Sequence, residues 1–190
     1  MTHPTDLPFR TSEQTFLSEG TTCAARVYRP GVDPTGTTDS LRPVVVMGHG
    51  FGGVRALRLY AYAERFAAAG YLVVVFDYRG FGESEGTPRQ VLDIGMQLQD
   101  WRAALTFTRT LPGVDAERVI AWGTSFGGGH VITLAGQGEK LAAIISQVPH
   151  VSGPAAVRAT GLAPSLRVIR RGILDQAAAL LGRDPVYVDA

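Results

Sequence analysis

The chain has 190 residues, of which 45% are hydrophobic and 18% charged, and its net charge is +1. These values are typical of a globular protein, exclude a disordered one, and give no electrostatic basis for binding nucleic acid or a charged membrane surface. The single cysteine, Cys23, excludes an internal disulfide framework, and we expect it to be a small buried residue.

Strand and helix patterns alternate along the chain. Residues 9–30 alternate with a period of two around Glu19-Gly20, which predicts a β-hairpin. After a loop over residues 31–42, four apolar runs predict strands buried on both faces: PVVVMGHG, YLVVVFD, RVIAWG and LAAIISQV. Helical patterns lie between these runs: RALRLYAYAERFAAAG, VLDIGMQLQDWRAALTFTRT and FGGGHVITLAGQ. The alternation predicts the α/β class, with a mostly parallel sheet and helices on both faces.

The alternation stops after Pro149. The remaining residues show short helical patches broken by Gly and Pro, with no further strand–helix pair. We therefore predict an α/β core over residues 1–150 and a partial cap or peripheral helical segment over residues 151–190. The first ten residues lack a signal-peptide pattern, and no run is apolar enough to cross a bilayer, so we expect a cytoplasmic protein without membrane contact.

Three glycine-rich motifs each follow a predicted strand: GHGFGG, DYRGFGESEG and GTSFGGG. Ligands of parallel α/β sheets bind beyond the carboxyl ends of the strands. Because all three motifs lie at that edge, we predict that they form one site.

The pentapeptide GTSFG fits the pattern G-x-S-x-G with Ser125 at its centre. Such a serine sits on a sharp strand-to-helix turn, which lifts its hydroxyl above the sheet and needs small neighbours, here Gly123 and Gly127. The preceding strand and following helix give the motif its expected context. We predict Ser125 as a nucleophile and the Phe126 N–H, at the start of the helix, as an oxyanion donor. The alternative is a glycine-rich turn with an ordinary helix-capping serine.

The loop HGFGG can supply a second oxyanion donor, and the Phe51 N–H is our candidate. His49 is either a general base or, as we favour, a residue that braces this loop by hydrogen bonding. In DYRGFGESEG we expect structural roles, with Arg79 pairing with Asp77 or another acidic group and Ser84 capping local backbone. This motif lacks the Lys-Ser/Thr pair of a P-loop.

In their order and spacing the three motifs resemble the α/β-hydrolase superfamily. The branch they resemble contains dienelactone hydrolases, X-prolyl-peptidase-like esterases and polyketide acyl-transferring hydrolases. The resemblance covers residues 9–150 and implies Ser125 as nucleophile, with the Phe126 and Phe51 N–H groups as oxyanion hole. It also implies a carboxylate after the next core strand and a catalytic histidine after the last one.

That histidine has no clear counterpart in this chain. His130 lies five residues into the helix after Ser125, so we expect it to point away from the hydroxyl. His150 directly follows the fourth predicted strand and is either a surrogate base or a residue that lines the pocket or hinges the cap. We therefore predict an α/β-hydrolase fold that lacks its last strand–helix units.

We predict a serine hydrolase that acts on esters, thioesters or related acyl compounds through a Ser125 acyl-enzyme, with impaired or absent activity in this chain. Its partner is a small-molecule acyl substrate, and the chemistry needs no cofactor. The four histidines have no ligand spacing, so we expect no metal. The alternatives are an acyltransferase, a non-catalytic remnant that associates with itself through its incomplete sheet edge, and a fragment of a longer gene product.

Overall fold

A computed structural model describes residues 8–31 and 41–187 of the protein, so that most of the predicted loop over residues 31–42 lies outside the described part. The described residues form six strands and five helices. In chain order these are β1 (Phe9–Ser18), β2 (Thr21–Pro30), β3 (Arg42–Gly48), α1 (Leu59–Ala68), β4 (Leu72–Phe76), α2 (Ile94–Thr110), β5 (Val114–Thr124), α3 (Phe126–Gly136), β6 (Ala143–Gln147), α4 (Gly153–Thr160) and α5 (Leu162–Leu180).

Strands β1 and β2 form the predicted hairpin. Ser18 pairs with Thr21 across the turn, and the two residues between them, Glu19 and Gly20, have φ angles of 46° and 79°. Positive φ at both central positions is characteristic of a type I′ turn, whose twist matches that of an antiparallel pair.

The strands make one sheet in the order β1-β2-β4-β3-β5-β6. Strand β3 runs parallel to β4 and β5, and β5 runs parallel to β6. Strand β2 joins the hairpin to β4 in antiparallel orientation. The predicted α/β class with a mostly parallel sheet is confirmed, and the carboxyl ends of β3, β4 and β5 carry the three glycine-rich motifs at one edge.

Helices cover both faces of the sheet, as the alternation predicts. Successive side chains of β3 point to opposite faces. Val44 and Val46 belong to the apolar cluster that contains Trp101 of α2 and residues of α3. Val45 and Met47 belong to the cluster that contains residues of α1. Because both faces are covered, residues 44–48 of β3 are buried.

Strand β6 is not buried on both faces, and that expectation is wrong. Its side chains are exposed or half-buried, and Ile145 remains 38% exposed. Apolar composition makes a strand suitable for burial, but burial also needs neighbours, and β6 is the edge strand with β5 as its one partner in the described sheet. No strand follows β6 in the part of the chain that the structure describes.

The segment after residue 150 is more regular than the pattern predicts. It forms α4 and then α5, a helix of 19 residues. Gly172 lies inside α5 without ending it, since glycine within a helix costs only about 1 kcal/mol relative to alanine. The boundary between core and cap stays a prediction. None of the described helices is long and apolar enough to span a membrane.

A buried ion pair ties the loop after β4 to α2. The Asp100 carboxylate, on the inner face of α2, accepts bonds from the Arg79 Nε at 2.5 Å and the Arg79 backbone N–H at 2.9 Å. It also accepts a bond from the Ser18 hydroxyl at 2.6 Å. Both charged side chains are buried, so each carries a large desolvation cost that the other offsets.

We expect Asp100→Asn to destabilise the protein by about 3–5 kcal/mol, because it leaves the Arg79 guanidinium buried without a counter-charge. Urea denaturation followed by circular dichroism would measure the change. The matched control is Asp115→Asn, which removes a carboxylate from the solvent-exposed pair with Arg118 and should leave the midpoint nearly unchanged. Equal midpoints for Asp100→Asn and the unmodified protein would contradict this account.

Candidate active site

Ser125 lies on the turn between β5 and α3, at the carboxyl end of the sheet. Its φ of 53° and ψ of −113° lie outside the regions that residues other than glycine favour. Such a conformation costs about 1–3 kcal/mol and persists only where the surroundings impose it. The strand, sharp turn and helix are those predicted from the sequence pattern, and they hold Ser125 at the sheet edge.

Two glycines allow this turn. A Cβ at Gly123 would lie 2.1 Å from the Gly127 carbonyl oxygen, and a Cβ at Gly127 would lie 2.6 Å from the His49 carbonyl oxygen. Neither position has room for a side chain. The first turn of α3 therefore packs directly on the end of β3, as the small-residue requirement of the motif predicts.

The Ser125 backbone is bonded to the end of β6. Its N–H donates to the Gln147 carbonyl at 2.9 Å, and its carbonyl accepts from the His150 N–H at 2.8 Å. The intervening Val148 has a φ of 39°, which is strained for a β-branched residue. The chain after β6 thus returns to the nucleophile, which places residue 150 beside it.

The His150 side chain stacks on the Phe126 ring, with ring centroids 5.2 Å apart and planes inclined by 21°. It is half-buried, and no hydrogen bond joins its ring to the Ser125 hydroxyl in the described structure. This arrangement puts His150 on the wall of the site. Its role as base or pocket residue stays a prediction.

The loop after β3 lies against the nucleophile. A Cβ at Gly50 would stand 3.0 Å from Ser125 Cβ and 3.6 Å from Ser125 Oγ. The next residue, Phe51, has its ring 6.3 Å from that of Phe126 in an edge-to-face contact. The structure therefore brings together the two residues whose N–H groups are the predicted oxyanion donors, and that role stays a prediction.

His49 directly follows β3 and is almost fully buried. Its Nδ1 lies 3.0 Å from the Gly50 carbonyl oxygen, and its ring contacts the Tyr78 ring at 4.5 Å. Burial lowers the pKa of His49 below its ordinary value. The contacts fit the predicted loop brace, since His49 bonds its own loop.

The carboxylate at the end of β4 has a different partner from the one expected. Asp77 accepts a bond from the Arg55 backbone N–H at 2.7 Å and lies 3.1 Å from Arg55 Nε. It also accepts the Glu83 N–H at 3.2 Å. Arg79 pairs with Asp100 instead of Asp77, as the alternative of another acidic group allowed.

Sequence reasoning missed Arg55 as a member of the site. It follows the HGFGG motif, its side chain is 2% exposed, and it pairs with Glu13 as well as with Glu83 and Asp77. An arginine between a glycine-rich loop and a helix usually lies on the surface. Its one sequence signal is the acidic character of DYRGFGESEG, which calls for a cation nearby.

His130 points away from the nucleophile, toward α2. Its Nε2 lies 2.7 Å from the Gln97 Oε1, and both side chains are buried. Burial and the nearby His49 ring lower the pKa of His130 to about 4, so the imidazole is neutral at pH 7. The position agrees with its expected place on the helix side.

Ser84 closes the loop after β4 as expected. Its hydroxyl donates to the Asp77 carbonyl at 2.7 Å and accepts the Ala24 N–H at 2.8 Å.

Cys23 is fully buried, and burial raises the pKa of its thiol to about 12. It therefore packs as the small apolar residue that was predicted.

A cavity of about 560 Å³ lies beside the Phe51 loop. Its walls come from that loop, from residues 90–92, and from α5 with the segment after it. Apolar side chains line much of it, and Arg171 and Asp175 are its charged members. Within the described residues, no group of three His, Cys, Asp or Glu side chains is placed to hold a metal ion.

Comparisons with known proteins identify the family of the chain. The sequence profile of the family described as "Serine aminopeptidase, S33" matches residues 39–182. The quorum-quenching protein AidA of Acinetobacter baumannii is 47% identical over 173 residues, which cover 91% of this chain and 55% of AidA. Thiohydrolase aneE of Aspergillus aculeatus is 41% identical over 107 residues, which cover 56% of this chain and 34% of aneE.

The solved structure of the hypothetical protein PA2218 from Pseudomonas aeruginosa is similar to this one, with a TM-score of 0.76 and 25% sequence identity. The aligned residues cover 95% of this chain and 57% of the PA2218 chain. The chain spans about half the length of the curated relatives it matches. The family profile covers the nucleophile turn and the two loops beside it. The chain therefore belongs to the serine aminopeptidase S33 family and has the α/β-hydrolase fold.

Proposed function

We propose that the protein is a serine hydrolase that cleaves esters or thioesters, with Ser125 as nucleophile. The observation that carries the proposal is the strained Ser125 turn with Gly50 so close to it that a Cβ at Gly50 would stand 3.0 Å from Ser125 Cβ. A serine hydroxyl beside two loop or helix N–H groups is the arrangement that acyl transfer needs, and Ser125 is half-buried. Membership of a serine hydrolase family supports the same conclusion.

The proposed reaction begins when Ser125 Oγ attacks the acyl carbon. The carbonyl oxygen becomes negatively charged, and the Phe51 and Phe126 N–H groups stabilise it. The alcohol or thiol leaves, and water then hydrolyses the Ser125 acyl-enzyme. An acyl-enzyme that reacts with an alcohol instead of water would make the protein an acyltransferase, which is the alternative within this chemistry.

The Ser125 proton needs an acceptor. His150 is the candidate base within the described chain, but its ring contacts Phe126 rather than the hydroxyl. We therefore expect slow acylation in the 190-residue chain. Oxyanion stabilisation and binding alone accelerate acyl transfer by about 10³- to 10⁴-fold over water when a triad member is missing.

The substrate is proposed to be a small acyl compound with an apolar acyl group. The cavity beside Phe51 has a volume suited to such a ligand and an apolar lining. The similarity to a thiohydrolase favours thioesters together with oxygen esters. A cytoplasmic location stays a prediction of the sequence.

We expect the purified chain to release nitrophenolate from p-nitrophenyl acetate in a Ser125-dependent reaction. Ser125→Ala should reduce the rate to that of buffer, since the acetyl group is transferred to the Ser125 hydroxyl in the proposed mechanism. Stopped-flow absorbance would give the rate, and intact-protein mass spectrometry would detect one acetyl group per chain.

The matched control is Ser152→Ala, which removes a nearby helix-capping hydroxyl and should keep the reaction. A rate that is the same in the unmodified protein, Ser125→Ala and buffer would reject the hydrolase proposal.

We propose self-association through β6 as a second candidate function. The edge of β6 opposite β5 is free in the described sheet, and Ile145 and Val148 expose apolar surface there. An unprotected edge strand pairs readily with another chain. A second copy of this chain offers the same edge, so that two β6 strands can extend the sheet in a symmetric dimer.

If this candidate is correct, light scattering will show a dimer that Ile145→Lys converts to a monomer, because a charge on an edge strand opposes pairing. Leu17→Lys is the control, since Leu17 is 69% exposed on β1 at the opposite edge of the sheet. A monomer at every concentration of the unmodified chain, or dissociation by both variants alike, would exclude pairing through β6.

A further inference from the structure

The Gly50 carbonyl oxygen accepts two hydrogen bonds. His49 Nδ1 lies 3.0 Å from it, and the Gly53 N–H lies 3.2 Å from it. The second bond closes a four-residue turn in which Gly52 has a φ of 61°, as in a type II turn. The carbonyl is therefore held from two sides.

The bond from His49 assigns the state of its imidazole ring. A carbonyl oxygen can only accept, so Nδ1 must carry the proton. His49 Nε2 is buried and has no hydrogen-bond partner, and the nearest acidic oxygen, Asp77 Oδ1, stands 3.8 Å away. In the neutral ring, Nε2 then carries a lone pair that faces this carboxylate.

The contact between Arg55 and Asp77 explains why the His49 ring can stay neutral beside a carboxylate. The Asp77 carboxylate already receives the Arg55 and Glu83 N–H groups and lies beside the Arg55 guanidinium. These contacts offset the negative charge of Asp77. The carboxylate therefore stabilises a positively charged His49 ring less strongly than a carboxylate without such contacts would. Burial of the ring favours the neutral form as well.

The Gly50 carbonyl and the Phe51 N–H belong to one planar peptide unit. In a trans peptide the two groups point in opposite directions, so a bond that fixes the carbonyl also fixes the N–H. Gly50 itself lies against Ser125. We propose that His49 is a positioning residue, whose Nδ1–H holds the Gly50 carbonyl so that the Phe51 N–H points at the oxyanion formed on Ser125.

This role of His49 rests on the proposed hydrolase function. It goes beyond loop bracing, because the bond to the Gly50 carbonyl orients the Phe51 N–H toward the oxyanion. Two replacements of His49 should therefore have different effects. The side-chain amide of asparagine places an N–H near the position of Nδ1, whereas that of glutamine places one near the position of Nε2.

The test compares His49→Asn with His49→Gln by the rate of Ser125 acetylation from p-nitrophenyl acetate. We expect His49→Asn to stay close to the unmodified rate and His49→Gln to lose about 10²-fold, the effect of losing one oxyanion donor. His130→Gln is the control, since it alters the other buried histidine but can keep the contact with Gln97. Thermal melting measures the loss of stability for each variant. Equal rate losses in both His49 variants would overturn the proposal.

Nitrogen-15 NMR supplies a readout that needs neither activity nor a variant. The His49 ring should be protonated on Nδ1 and unprotonated on Nε2 at neutral pH, and the reverse tautomer would overturn the proposal even if the variants fail to fold. If the unmodified chain shows no Ser125-dependent acetylation, the hydrolase function fails by itself. The Phe51 amide resonance then decides the positioning role: a shift in His49→Gln but not in His49→Asn supports it, and equal shifts contradict it.

Discussion

The contact between the first turn of α3 and the end of β3 sets the positions of all groups at the site. Gly127 approaches the His49 carbonyl so closely that even a methyl group is excluded. This contact brings the Gly50–Phe51 loop onto Ser125, and it forces the chain through the strained conformation at Ser125 itself. Bonds from Ser125 to Gln147 and His150 then add the end of β6 to the same unit. Contacts with the ends of β3, β5 and β6 thus maintain the strained backbone conformation of Ser125.

Much of the fold could be predicted from the sequence because local patterns and long-range contacts agree. The alternating apolar residues of β3 serve both faces of the sheet, and its central residues are buried as the apolar run implies. The Glu19-Gly20 turn is determined by two adjacent residues. The position of Ser125 follows from glycines within two residues on each side. In each case the information lies within a few residues of the feature.

The features that were missed depend on residues far apart in the chain. The apolar run of β6 predicted burial on both faces, whereas the missing strand–helix units indicated an incomplete sheet edge, and it is the edge position that leaves β6 exposed or half-buried. The partner of Arg79 is Asp100, 21 residues later, whose carboxylate is hidden on the inner face of a helix. Arg55 joins acidic groups from β1 and from the loop after β4. Such pairings emerge only once the sheet brings distant segments together.

The Asp77 carboxylate binds backbone N–H groups of two different loops, at Arg55 and at Glu83. A local opening that releases this carboxylate frees both amides at once, whereas separate anchors would let each loop open alone. The two loops therefore form one cooperative unit, and the Arg55 and Glu83 amide protons should exchange with solvent at matched opening free energies. Flexibility at the mouth of the site is then governed by a side chain at the end of β4, beneath the surface that a substrate would meet.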